Sequence, residues 1–147
     1  MKRMLLIFML ALAMLGTAVA CGGGEAVATE AEPAVPADLN ELLNLPDSVD
    51  VQTVATIKGR NDVLLLDVRE QWEYDEGHIP GVTLIPMGEI ANRLSEIPTD
   101  QEVIVTCRSG NRSGQITDFL RQQGFDNVHN MDGGILAWEA AGYEVER

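Results

Sequence analysis

"EVIVTCRSGNRSGQITDFLRQQG" (102–124) changes periodicity partway along, and that change decides the fold. Glu102 to Thr106 is a short apolar, β-branched run, which suits a buried strand. From Ser113 onward Ile116, Phe119 and Leu120 fall on one helical face, and Gly124 supplies a stop. A strand therefore feeds a helix through "CRSGNRS" (107–113). That connection holds a thiol, two arginines and two serines in a chain of 23 acidic and only ten Lys and Arg residues.

The same alternation runs outward in both directions. "VDV" (49–51) reads as a short strand, and "VQTVATIKG" (51–59) as an amphipathic helix ended by Gly59. "DVLLLDV" (62–68) is a continuous apolar run of the kind that is buried on both faces of a sheet. "EQWEYDEG" (70–77) is a short helical or irregular piece, and "VTLIP" (82–86) a strand stopped by Pro86. "MGEIANRLSEI" (87–97) has helical spacing at Ile90, Leu94 and Ile97. "DNVHN" (126–130) reads as a strand and "GGILAWEAAG" (133–142) as a last short helix. This order predicts an α/β fold of three layers, with a mainly parallel sheet and helices on both faces. Ligands of such sheets sit beyond the carboxyl ends of the strands, where Asp67 and Cys107 fall.

The loop has the parts of an anion site. Cys107 leaves a strand, and a helix begins at about Arg112 or Ser113. Arg108, Ser109, Gly110 and Asn111 bend easily between them. Their backbone N–H groups and the helix N-terminus form a cradle for negative charge. A thiol there, near arginines, ionises below its free pKa. Arg108 and Arg112 can add charge-assisted hydrogen bonds to a bound anion. Phosphatase loops place five residues between Cys and Arg. Here four lie between Cys107 and Arg112, and the tighter ring suits a sulfur atom on the thiolate better than a phosphate before it.

Length and charge narrow the classes further. With 147 residues, 46% of them hydrophobic, the chain can form one domain with a real core. Its formal charge of −13 and lack of a basic stripe exclude a nucleic-acid footprint. The N-terminus, "MKRMLLIFMLALAMLGTAVAC" (1–21), has the basic start, short apolar run and small residues of a secretory signal peptide. "TAVAC" (17–21) resembles the lipobox of bacterial lipoproteins, with Ala18 where leucine is commonest. The expected division is a signal peptide over 1–20, a lipidated Cys21 with a tether over 21–37, and the folded domain over 38–147. Residues 22–37, rich in Gly, Ala, Glu and Pro, would span on the order of 20 Å. The expected address is extracytoplasmic, on a bacterial membrane through the lipid at Cys21. An acylated Cys21 leaves Cys107 as the sole thiol, with no internal disulfide partner.

The domain as a whole resembles the single-domain rhodaneses, a sulfurtransferase family. "LLLDVREQWEYDEGHIPGV" (64–82), "IVTCRSGNRSG" (104–114) and "NMDGGILAWEAAGYEV" (130–145) carry the resemblance in the family's order, over roughly residues 47 to 147. Val82, where Ala is more usual, and His129 are small departures. The resemblance implies that Cys107 is the nucleophile. It would take sulfane sulfur from thiosulfate, a persulfide or a polysulfide, and pass it to a thiol or to cyanide. Backbone N–H groups of residues 108–112 would hold the anionic persulfide. Arg108 and Arg112 would attract the donor, and Ser109 and Ser113 could donate hydrogen bonds. No metal or organic cofactor is implied, and a monomer is expected. A non-catalytic sulfur carrier or binding module is the alternative on the same residues.

Other residues read two ways. Asp67, Arg69 and Trp72 either shape the pocket, or serve as an internal ion pair (Arg69 with Glu70 or Glu73) and as core. His78 in "EGHIPG" reads as a loop-fixing residue, and His129 as a strand residue without metal-ligand spacing. Trp138 reads as core, and Asp132 as a cap for the last helix.

Overall fold

A computed structural model describes residues 43–147. The signal-peptide, Cys21 and tether readings lie outside the described residues, as does the proposed start of the domain at residue 38. Five strands form one sheet: β1 (Ser48–Val49), β2 (Val63–Asp67), β3 (Thr83–Leu84), β4 (Glu102–Thr106) and β5 (Val128–Met131). Their order is β1-β5-β4-β2-β3, and every pairing between them is parallel. Four helices connect or follow them: α1 (Val51–Ile57), α2 (Gln71–Glu76), α3 (Asn111–Gln122) and α4 (Gly134–Ala140).

The sheet divides the core into two halves, as alternation along the strands requires. Val63 and Leu65 of β2 and Ile104 of β4 pack with Val54 of α1 and with Ile135 and Trp138 of α4. Leu66 of β2 and Val103 and Val105 of β4 face the other way, onto Ile116 and Leu120 of α3. Side chains such as Leu66 and Leu120 are fully buried, each contributing about 1.5–3 kcal/mol. Tyr74 of α2 joins the first half, so the connections after β2 and β4 leave for opposite faces. The register sets Asp67 beside Thr106 at the carboxyl ends of these neighbours. That divergence opens the crevice in which a doubly wound sheet places its site.

Two local expectations are corrected. The stretch 87–97 is not one helix but two 3-10 turns, Ile90–Asn92 and Leu94–Glu96. Pro86 and Pro98 bound it, and Arg93 leaves helical geometry (φ −122°) while pairing with Glu89 and Glu96. So short a helix has little stability of its own, yet the spacing still buries Ile90 and Ile97. β1 stops at Val49 because Asp50 caps α1, its carboxylate accepting the Thr53 N–H at 2.8 Å.

Candidate active site

β4 delivers Cys107 to the sheet edge, and Gly110 (φ 90°) turns the chain into α3. The turn curls around the sulfur: the Gly110 N–H donates to Cys107 Sγ at 3.2 Å, and Ser113 Oγ lies 3.4 Å from it. Burial pushes the thiol's pKa up. Hydrogen bonds from the Ser113 hydroxyl and from the backbone N–H groups of Ser113, Ser109 and Gly110 outweigh it, so the thiol ionises below its ordinary value.

α4 holds the loop in this curl from outside. The N–H groups of Ile135 and Leu136 donate to the carbonyls of Cys107 and Arg108 at 2.9 and 3.1 Å. Those carbonyls therefore point away from the sulfur, toward the start of α4. The approach is close enough that a Cβ on Gly134 would lie 2.4 Å from the Cys107 carbonyl oxygen. Gly133 and Gly134, both at positive φ, make that approach possible. The expected cap from Asp132 is corrected: Gly133 occupies the N-cap, and the Asp132 carboxylate accepts from Asn130 Nδ2 at 3.3 Å instead.

On the other side of the crevice the acid–base pairings differ from expectation. Arg69 pairs with Asp67 (2.7 Å), not with Glu70 or Glu73, and both partners are buried. Arg69 also donates to the carbonyls of Glu73 and Gly77, tying α2 to the end of β2. Glu73 instead takes Arg112 in a two-pronged bridge of 2.6 and 2.7 Å. Arg112 is thus held beside the loop with its charge matched. Its hydrogen bonds hold the Glu73 carboxyl below its usual pKa against burial, which pushes the other way.

Arg108 is different. Among the described residues it is the one cation with neither an ion pair nor a hydrogen bond, and it is exposed. It borders a cleft of about 240 Å³ that is also lined by Trp72 (63% exposed), Leu136, Glu76 and Glu139. Trp72 is therefore at the cleft and not in the core. Ser109 and Asn111 are exposed on the loop, and Ser113 is buried beneath it.

The histidines are structural ties. His78 stacks on Tyr74 and bridges the Tyr74 carbonyl and Glu146. His129 joins Glu102 to the Pro46 carbonyl. Trp138 is core, its indole N–H on the Glu144 carbonyl. Sequence reasoning missed Glu73 as the partner of Arg112, and Asn130, whose Oδ1 lies 2.6 Å from Ser113 Oγ. Only their place within the resemblance stretches marked them.

The Cys107 thiol thus sits in a ring of amides at the carboxyl end of β4, beside an unpaired cation. The rhodanese-like domain family model matches residues 50–141, and the chain belongs to that family. It is 46% identical over 84 residues to a sulfurtransferase of Allochromatium vinosum, covering 57% of this chain and 78% of the relative. It is 37% identical over 100 residues to the thiosulfate sulfurtransferase GlpE of Pseudoalteromonas translucida, covering 67% and 95% of the two chains. Among solved structures, a rhodanese-related protein of Thermoplasma volcanium aligns with a TM-score of 0.63 and 31% identity, over 69% of this chain and 98% of that one. These relationships support a sulfur-transfer role.

Proposed function

We propose that the protein is a sulfurtransferase that carries sulfane sulfur on Cys107 from thiosulfate, a persulfide or a polysulfide to a thiol. The single observation behind this reading is the amide ring closed on Cys107 Sγ, with Arg108 unpaired at its edge. The Cys107 thiolate attacks the outer sulfur of the donor. A new S–S bond forms, the donor's own bond to that sulfur breaks, and its electron pair leaves with sulfite when thiosulfate is the donor. An acceptor thiolate then bonds to the outer sulfur and the electron pair returns to Sγ. The ring of N–H groups stabilises charge on the persulfide, and Arg108 receives the anionic donor. The described residues gather no metal-binding group of His, Cys, Asp or Glu.

The N-terminal sequence supports an extracytoplasmic protein held on a membrane by lipid at Cys21. Palmitate labelling in cells is then expected to vanish in Cys21→Ala.

Activity is tested with thiosulfate and cyanide. Thiocyanate should form with wild type, show two-step, ping-pong kinetics, and disappear with Cys107→Ala. No thiocyanate from wild type with any sulfane donor or acceptor would leave a carrier or binding module.

A further inference from the structure

The Ser113 hydroxyl has one proton and three acceptors within reach. Asn130 Oδ1 lies at 2.6 Å, the Gly110 carbonyl at 3.1 Å and Cys107 Sγ at 3.4 Å. Ser113 is fully buried, so no solvent competes for that proton. Asn130 presents its oxygen to Ser113 because its Nδ2 donates to Asp132 Oδ1, which can only accept. The amide lies against the first turn of α3 at Gly114, where a Cβ would be 3.8 Å from Asn130 Nδ2.

We propose that Asn130, oriented by Asp132, is a positioning residue that holds the Ser113 hydroxyl off the Cys107 sulfur until that sulfur carries charge. The inference rests on the transfer reading above. With a neutral thiol, or with the inner sulfur of a persulfide, the short bond to Asn130 wins. When an acceptor thiolate bonds to the outer sulfur, the S–S bond breaks and its electron pair goes to Sγ. A charge-assisted bond from Ser113 then competes. A more stabilised thiolate is a better leaving group and a weaker nucleophile. Asn130 therefore moderates discharge in favour of charging. The charged groups around the loop are Arg108 within it, Arg112 on α3 with Glu73 on α2, Asp67 at the end of β2 with Arg69, and Asp132 after β5.

The test is the pH dependence of alkylation at Cys107 in the full chain, followed on the Cys107 peptide so that Cys21 does not interfere. Asn130→Ala frees the hydroxyl and is expected to lower the midpoint by about one pH unit. It should speed persulfide discharge to a small thiol and slow charging at pH values above the midpoint. In a Ser113→Ala background the Asn130→Ala shift should vanish. Asp132→Ala, at an exposed position, should act in the same direction, with most of its shift likewise lost in Ser113→Ala. An unchanged or raised midpoint in both Asn130→Ala and Asp132→Ala, or shifts that survive without Ser113, overturns the proposal. Alkylation needs no sulfur transfer, so a failure of the transfer reading appears separately, as absent persulfide in wild type.

Discussion

Arg112 Nη1 and Nη2 lie 2.6 and 2.7 Å from the two carboxylate oxygens of Glu73. The pair joins α2, which follows β2, to α3, which follows β4, across the crevice. It gives the loop a fixed floor and spends one of its two arginines on structure. The sequence offered both arginines as donor ligands. In the proposed function Arg108, which is left unpaired, takes that task.

The Glu73–Arg112 bridge has a pH signature. Hydrogen bonding to Arg112 holds the folded-state pKa of Glu73 below its ordinary 4.5. A depressed carboxyl stabilises the fold fully above its unfolded pKa, and that stabilisation is lost as pH falls through the folded value. Glu73→Gln should cost about 1–2 kcal/mol at pH 7. The deficit should persist to about pH 5 and shrink below about pH 4, where wild type loses the same charge. Denaturant unfolding at pH 7, 5 and 3.5 measures it. A deficit unchanged at pH 3.5 would remove the ion pair as its cause.

Arg108 and Arg112 should separate affinity from stability. Arg108→Ala removes an unpaired, exposed cation, so the melting temperature should stay constant. KM for thiosulfate should rise about tenfold to a hundredfold, the worth of one charge-assisted bond. Arg112→Ala strands the Glu73 carboxylate, which is 9% exposed, and should lower stability by about 2 kcal/mol. Kinetics at saturating acceptor, with a thermal melt of each variant, test the division.

Gly134 should tolerate no side chain. A Cβ there meets the Cys107 carbonyl at 2.4 Å and the Arg108 carbonyl carbon at 2.6 Å, on a backbone with φ of 57°. Backbone atoms have nowhere to yield, so Gly134→Ala should cost about 2 kcal/mol or more. It should also push the amide ring off the sulfur and raise the alkylation midpoint, because the hydrogen bonds that lower it are lost while burial remains. Gly59→Ala, with nothing within 4 Å, is the matching control. Equal behaviour of the two variants would refute the clamp.

The strand–loop–helix of residues 102–124 was legible because β-branched runs and helical spacing are local signals. β4 matches "EVIVT" residue for residue, and α3 begins at Asn111, one or two residues before the expected start at Arg112 or Ser113. The split of 87–97 was not legible, since Ile90 and Ile97 meet the core equally well from two tight turns. The place of Cys107 and its loop, between β4 and α3, was legible. Which carboxylate each arginine takes was not: Arg69 with Asp67 and Arg112 with Glu73 depend on how α2 lies over the sheet. The link from Asn130 to Ser113 joins β5 to α3, a contact that no local spacing encodes.

The most direct measurement is the mass of the protein after thiosulfate, and again after a thiol acceptor. The account predicts a gain of about 32 Da, one sulfur as a persulfide, confined to the Cys107 peptide and absent in Cys107→Ala. It also predicts return to the starting mass as the acceptor takes that sulfur. A sulfur adduct elsewhere, or transfer that continues in Cys107→Ala, would contradict it.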